Sequence, residues 1–402
     1  MFSSWLALCF WLSCFIVFYS YFGYGIHMWV LRLLFPWAKK NQAPSLHTDE
    51  QCPEVALLIA AWNEEDFIRE KLADTKKLDY PAGKLTVYII TDGSTDATAD
   101  IARNYDLGNL IQLEVHHKDG RSGKQAAIER VLPQVTAPIV VFTDANTYLN
   151  PMAIRNIVRH YKDDAIAAVA GEKRIMRKET DAAAGAGEGL YWRFESTLKR
   201  WDSEFHTVVG AAGELFSVRR KLIPEVPAGT LVEDFYMTMK LCEAGYRVAY
   251  APDAFAEETS SANVKEEMKR KVRIAAGGLQ AANMLKPLLN PFKDWKLTFQ
   301  YVGHRLLRWT VGPALIPVIL VLNILLHFSL GGLYSWILLA QVLFYVAAFF
   351  GYLFERKEIR LKVLFVPMYF TMMNIAVYRG LLRLFNNKQS VNWEKAARAP
   401  VK

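Results

Sequence analysis

Cysteine is scarce and unpatterned in this chain. The four present, Cys9, Cys14, Cys52 and Cys242, form neither a CxxC pair nor a dense framework, which excludes a disulfide scaffold and fits a reducing compartment for the hydrophilic part. With 23 Gly and 16 Pro among 402 residues, collagen-like and low-complexity folds are excluded too. Charge is missing from two long stretches, since residues 1–31 and 309–354 contain no Asp, Glu, Lys or Arg. Apolar residues are in excess at 52%, slightly high for a soluble enzyme.

The formal net charge is +8, which raises nucleic acid as a partner only if the charge is concentrated on the folded domain. It is not. From Pro36 to Arg308 the chain has 37 Lys plus Arg against 37 Asp plus Glu; Arg32 adds one positive charge, and residues after Arg308 add ten basic against three acidic. The excess flanks the apolar ends, so nucleic acid is not the expected partner and a lipid bilayer is.

Trp5 to Tyr24 supplies the roughly 20 residues that a helix needs to cross the hydrocarbon core. It has no basic n-region or small-residue cleavage pattern, so an anchor is expected rather than a cleaved signal peptide. Gly331-Gly332 divides the second uncharged stretch into spans at about Val311 to Leu330 and Leu333 to Phe354. By the positive-inside rule, Arg32, Lys39 and Lys40 place the middle domain in the cytoplasm of a multi-pass protein of the cell (inner) membrane. A further apolar stretch, Val363 to Val377, conflicts with that rule if it crosses, because Arg379, Arg383, Lys388, Lys395 and Arg398 would then lie outside. A re-entrant or interfacial helix would restore the sign. The expected organisation is a transmembrane helix at 1–35, a catalytic domain at 50–285, interfacial amphipathic helices at 286–309, transmembrane helices at 310–385 and a basic tail at 386–402.

The middle domain reads as α/β. Val55 to Ala61 is a continuous apolar run of the kind buried on both faces of a parallel sheet, followed by a helical stretch from Glu65 to Leu78. Leu85 to Ile90 and Ile139 to Thr143 repeat the pattern. Strands alternating with helices predict a mostly parallel sheet, with ligands beyond the carboxyl ends of the strands. Polar clusters fall there: Asn63-Glu64, Asp92 with Asp96, and Asp144 with Asn146. Carboxylates without His or Cys suit a hard cation such as Mg or Mn shared with phosphate. Considered alone, Asp144 and Asn146 read equally well as caps of the next helix, and Asp96 more so.

The set AAWNEE (60–65), TDGSTD (91–96), GRSGKQAA (120–127), FTDANT (142–147), GAAGELFSVRR (210–220), VEDFYMTMKLCEAGYRVAYAPDA (232–254) and RKVRIAAGGLQ (270–280) resembles the family 2 glycosyltransferases, the membrane-embedded relatives of hyaluronan, chitin, cellulose and poly-N-acetylglucosamine synthases. The resemblance implies the GT-A (Rossmann-like) nucleotide-diphospho-sugar transferase fold, inversion at the anomeric carbon and a divalent metal. Carried over by position, Ala60, Asn63, Glu64 and Asp92 resemble the uridine-pocket residues, with Asp96 and Lys124 beside the nucleotide. Asp144 and Asn146 occupy the DxD metal positions, with an amide where the second acid is usual. Glu233-Asp234 resembles the ED pair, with Asp234 as general base and Glu233 orienting the acceptor. Arg270 and Arg273 resemble the diphosphate-binding basic residues. Gly213 and Glu214 resemble the acceptor loop, and Trp192 lies on a helix near the acceptor. The QxxRW motif of processive synthases reads Arg270-Lys271-Val272-Arg273-Ile274, so the stacking Trp is Ile274 here.

The implied activity is transfer of N-acetylglucosamine or glucose from a UDP-sugar to a membrane-associated or growing polysaccharide, with an accessory export subunit as a further partner. Transfer of a single sugar to a lipid-linked acceptor is the alternative. A non-enzymatic carrier with a nucleotide-binding domain predicts ionisable groups inside the apolar spans, and only His327 is found there.

Overall fold

The computed structural model describes residues 2–35, 43–176, 184–259, 264–356 and 361–386. In chain order the helices are α1 (Phe2–Phe18), α2 (Tyr24–Leu34), α3 (Glu65–Thr75), α4 (Thr98–Arg103), α5 (Lys124–Val131), α6 (Ala153–Val158), α7 (Ala184–Phe205), α8 (Glu233–Glu243), α9 (Val264–Met284), α10 (Trp295–Gln300), α11 (Leu307–Trp309), α12 (Val311–Leu330), α13 (Leu333–Arg356) and α14 (Lys362–Phe385). The strands are β1 (Val55–Ala61), β2 (Leu85–Asp92), β3 (Gln112–Lys118), β4 (Ile139–Asp144), β5 (Thr147–Leu149), β6 (Ile166–Ile175), β7 (Leu215–Arg219) and β8 (Arg247–Glu258).

All eight strands form one sheet, ordered β3-β2-β1-β4-β7-β6-β8-β5. Every residue of β1 is buried, and the pleat divides it between two cores. Ala56, Leu58 and Ala60 face the core that includes α5 and α8, while Val55, Leu57, Ile59 and Ala61 face the core under α3, α4 and α6. The strands β3, β2, β1 and β4 are parallel; β7 is antiparallel to both β4 and β6, β8 is parallel to β6, and β5 closes the edge antiparallel to β8. The strand order reverses direction at β1, between β2 and β4. Ala60 is in register with Ile90 on one side and Asp144 on the other, so the polar residues that follow these strands open onto one crevice.

Ser3–Leu34, Val311–Leu330 and Leu333–Arg356 are each long and apolar enough to cross a membrane. The first contains a π-helical turn, Tyr19–Gly23, whose Ser20 carbonyl accepts from Arg308 Nε at 2.8 Å. The stretch after α9 is more broken and more buried than a single interfacial helix. It comprises α10, a π turn at Tyr301–Leu306 and α11. Fully buried His304 bridges Asp202 Oδ2 at 2.5 Å and Glu195 Oε1 at 3.2 Å on α7. Phe292 and Trp295 remain exposed.

The final apolar stretch runs past Val377 to Phe385 as α14. The side-chain amides of Asn323 and Gln341 meet at 2.6 Å and His327 Nδ1 meets Ser335 Oγ at 2.8 Å, which makes α12 and α13 an antiparallel hairpin. A Cβ added to Gly351, near the end of α13, would lie 3.0 Å from Met368 Cβ on α14, and Tyr378 of α14 donates to the Pro313 carbonyl at the start of α12. Gly380 lies against the α9 backbone, where an added Cβ would be 2.8 Å from Ala276 N. Both ends of α14 therefore lie at the catalytic-domain end of the hairpin, and α14 does not cross to the other end.

Candidate active site

The first wall of the crevice is the turn after β1. Asn63 adopts φ +52°, a left-handed conformation that Asn tolerates better than most side chains. Its N–H donates to Ser94 Oγ at 3.1 Å, and its Oδ1 accepts from Thr95 N at 2.9 Å. Glu64 N donates to Thr98 Oγ1 at 2.8 Å, and Asp96 accepts from Glu65 N at 3.2 Å and Thr98 N at 3.0 Å. Asn63, Glu64 and Asp96 thus tie the turn after β1 to the turn after β2. The cleft itself is lined by Ala60, Ala61, Trp62, Ile90, Asp92, Arg121, Gly123, Lys124 and Ala127. Trp62 and Arg121 lie within AAWNEE and GRSGKQAA without being singled out there as site residues, yet the Arg121 guanidinium carbon lies 3.4 Å from the Trp62 ring centroid. An aromatic beside the strand-end Asn and an Arg inside the Gly-rich turn were the available signals.

Asp92 organises the floor of this cleft. Its Oδ2 accepts from Ser122 N at 2.8 Å and Gly123 N at 2.6 Å, holding the 120–124 turn against β2. Gly93, at φ +68°, permits that approach, since a Cβ there would lie 2.8 Å from Arg121 N. The other oxygen, Asp92 Oδ1, is buried and has no partner among the described residues. A buried acceptor without a donor is costly unless a ligand supplies one.

At the far end of the cleft, three acids meet one lysine. Lys124, at the start of α5, places Nζ 2.6 Å from Asp144 Oδ1 and 4.0 Å from Glu233 Oε1. A Cβ on Gly213 would lie 3.2 Å from Asp234 Oδ2 and 3.7 Å from Lys124 Nζ, so the missing side chain leaves that carboxylate open. Burial disfavours the Lys124 ammonium, but Asp144, Glu233 and Asp234 outweigh it and hold its pKa above the usual lysine range. Burial, and next the charge of Glu233, push Asp234 up to about 7, against a 2.8 Å bond from Phe235 N and the attraction of Lys124. A carboxyl group titrating there is poised to accept a proton near neutrality.

The metal question turns on Asp144 and Asn146. Both are half-buried on the β4–β5 turn, and among the described residues no group of three or more His, Cys, Asp or Glu could hold an ion. Mg and Mn accept one or two carboxylates when phosphate and water complete the shell. One acid and one amide therefore fit a cation shared with a diphosphate, not one caged by protein alone.

Helix α9 supports the acid pair. Gln280 Oε1 accepts from Leu231 N at 3.0 Å and its Nε2 donates to the Gly229 carbonyl at 2.9 Å. Gly277 is so close to Val232 that a Cβ would lie 2.6 Å from a valine methyl. Arg273, one turn before Gly277 on that face, is half-buried and forms no ion pair with a described residue. Arg270 is already engaged, 3.2 Å from Glu258 Oε1 and 3.1 Å from Glu267 Oε2. Lys173 bridges Glu258 and Glu214; burial would raise the Glu214 pKa, but Lys173 holds it well below the carboxylate range. Arg270 and Glu214 thus brace the site from a buried ion chain. Trp192 is on α7, with its side chain outside the described residues. Trp309, which its setting suggests as a headgroup anchor, packs edge-on against Phe235 at 4.9 Å, in the space left by Gly278. Gly277→Val is expected to cost about 1–3 kcal/mol by overpacking and to lower kcat by displacing Glu233-Asp234; thermal unfolding and initial rates check this together.

Comparison with known proteins agrees with this geometry. The profile described as "Glycosyltransferase like family 2" matches residues 53–277. A "Probable glycosyltransferase YdaM" from Bacillus subtilis (strain 168) is 24% identical over 87% of this chain and 88% of its own. The poly-beta-1,6-N-acetyl-D-glucosamine synthase of Staphylococcus aureus (strain MSSA476) is 27% identical over 59% of this chain and 57% of its own. The beta-monoglucosyldiacylglycerol synthase of Nostoc sp. (strain PCC 7120 / SAG 25.82 / UTEX 2576) is 29% identical over 47% and 41%. The chain therefore spans less than two thirds of the last two relatives. Among solved structures, the mannosyltransferase PcManGT from Pyrobaculum calidifontis, in complex with GDP-Man and Mn2+, superposes over 95% of this chain and 100% of its own with a TM-score of 0.67 at 20% identity, showing the GT-A-like fold. With the profile matched over more than half its length, the chain belongs to glycosyltransferase family 2.

Proposed function

We propose that this enzyme inverts the anomeric carbon while transferring N-acetylglucosamine or glucose from a UDP-sugar to a membrane-associated or growing polysaccharide. The observation that carries the reading is Asp234, a carboxyl group pushed up to about 7 beside Glu233, open where Gly213 has no side chain. Asp234 takes the proton of the acceptor hydroxyl as that oxygen bonds to the anomeric carbon. The bond from that carbon to the diphosphate breaks on the opposite face, and its electrons leave with UDP. Glu233 orients the hydroxyl. Lys124 and Arg273 meet the growing negative charge on the diphosphate, and Asp92 Oδ1 accepts from a donor group of the nucleoside. When bound through Asp144 and Asn146, Mg or Mn supplies Lewis-acid neutralisation of the leaving group. The GDP-Man and Mn2+ complex of the structural neighbour supports a nucleotide-diphospho-sugar donor and a divalent metal, though not the choice of base or sugar.

Arg32 and the basic residues after Arg308 support a cytoplasmic catalytic domain on the inner membrane, from which a polymer would need an export route or an accessory subunit. The synthase named for poly-beta-1,6-N-acetyl-D-glucosamine supports the polymer reading. Ile274, in place of a stacking Trp, and the glucosyldiacylglycerol-forming relative favour a second reading, transfer of one sugar to a lipid-linked acceptor. Membranes containing the full chain, incubated with labelled UDP-sugars and Mg or Mn, test both. Polymer is the expected product; products carrying one added sugar support the second reading, and no transfer or hydrolysis of any nucleotide sugar rejects both.

A further inference from the structure

Lys71 lies outside every recognised motif, yet its ammonium is completely buried behind the β4–β5 turn. Lysine is almost never fully buried unless paired, and among the described residues Lys71 has no carboxylate within ion-pair distance. Its Nζ donates to three neutral oxygens instead: the Thr147 carbonyl at 2.6 Å, Thr143 Oγ1 at 3.3 Å and Thr147 Oγ1 at 3.4 Å. These acceptors flank Asp144 and Asn146 on both sides. The grip is extended by Asp74, whose Oδ2 accepts from Leu149 N at 2.7 Å, and by Glu70, which accepts from Tyr148 OH at 2.8 Å. Thr143 also donates to the Glu214 carbonyl at 2.8 Å, linking the turn to the loop that carries Gly213.

A purely structural clasp would not need a charge here. An ammonium is a costly way to satisfy three neutral oxygens, because burial penalises its charge. The location suggests why a cation is present. With Asn146 rather than an acid, the turn carries a single carboxylate, so its ability to hold a cation and a diphosphate depends on how rigidly its oxygens are aimed. Groups behind a metal ligand, which fix its orientation, commonly change metal affinity about 10- to 100-fold when removed.

We propose that Lys71 is a positioning residue for donor binding: from behind the β4–β5 turn it aims Asp144 and Asn146 so that they would hold a divalent cation together with the sugar donor's diphosphate. This rests on the donor-site reading above. Lys71→Met keeps the unbranched apolar stem of the side chain and removes its donors. The test uses full-length protein in detergent, with Mn²⁺ binding in the presence of UDP followed by loss of the free-ion paramagnetic resonance signal, alongside thermal unfolding and initial rates. The variant is expected to unfold within a few degrees of wild type, to bind Mn²⁺ about 10- to 100-fold more weakly and to show KM for metal and donor raised by more than kcat is lowered. Saturating Mn²⁺ should restore most of the rate. Unchanged Mn²⁺ binding in a stably folded Lys71→Met overturns the proposal. If that variant does not accumulate, Lys71→Gln decides, because it keeps a neutral donor while removing the charge and the reach of the lysine: weaker Mn²⁺ binding in a stably folded Lys71→Gln supports the assignment, and unchanged binding overturns it. A wild type that binds no Mn²⁺ with UDP overturns both this assignment and the donor-site reading, whereas tight wild-type binding matched by the variant overturns this assignment alone.

Discussion

Asp234→Asn is expected to lower kcat by about 10²- to 10⁴-fold, the range contributed by a positioned general base, with KM for the donor changed little. The amide keeps the size of the side chain, and its oxygen still accepts from Phe235 N, now 2.8 Å away, so folding should be retained. What is lost is the capacity to take a proton. The wild-type pH profile carries the sharper check. Asp234 titrates at about 7 because burial and Glu233 raise it, so its basic form disappears as pH falls through that value. Activity should therefore fall about tenfold per pH unit below 7, and that limb should vanish in Asp234→Asn. Glu233→Gln removes a like charge, so it should move the acid limb to lower pH. Retention of the limb with Asp234 replaced would assign the base to another group.

Lys124→Met is expected to have the second large effect and to move the same limb the other way. The substitution leaves Asp144, Glu233 and Asp234 facing one another without the ammonium that now lies 2.6 Å from Asp144 and 4.0 Å from Glu233. Removing one partner of a buried ionic cluster costs about 3–5 kcal/mol of stability, and losing a cation that meets the charge developing on the diphosphate should separately lower kcat by about 10²- to 10³-fold. The lost attraction should also raise the Asp234 pKa, shifting the acid limb above neutrality. Rate profiles of wild type, Glu233→Gln and Lys124→Met at saturating donor would show the limb displaced in opposite directions. A Lys124→Met enzyme with a wild-type profile would place this lysine outside the reacting cluster.

These residues were legible in different degrees. Lys124, Asp144, Glu233 and Asp234 were marked by short motifs that a strand end or a helix start exposes, and the sheet brings the four together. Arg270 and Glu214 carried motif positions too, but their charges are absorbed by Glu258, Glu267 and Lys173; Glu267 is one helical turn from Arg270, but Lys173 is 41 positions from Glu214, which no local pattern could pair. Trp62, Arg121 and Lys71 were missed for the complementary reason. Each looked like an ordinary member of an amphipathic or polar segment, and only packing across β1, β2 and β4 shows what it faces.

The membrane-proximal region divides in the same way. Uncharged length was enough to locate α12 and α13, since a helix in hydrocarbon must satisfy its own backbone and carry apolar side chains. It could not assign α14, whose placement depends on Gly351, Tyr378 and Gly380 meeting α13, α12 and α9. Nor could it foresee that His304 would be buried between Asp202 and Glu195 rather than lie at an interface.

What the sequence by itself determined, then, is the parallel β1-β2-β4 core, because apolar periodicity is a local property, and, through the resemblance of its motif set to a family, the candidate reacting acids. Only the tertiary structure decided which charges face the cleft and which are spent on one another, because ion pairing and desolvation depend on distances between segments remote in the chain.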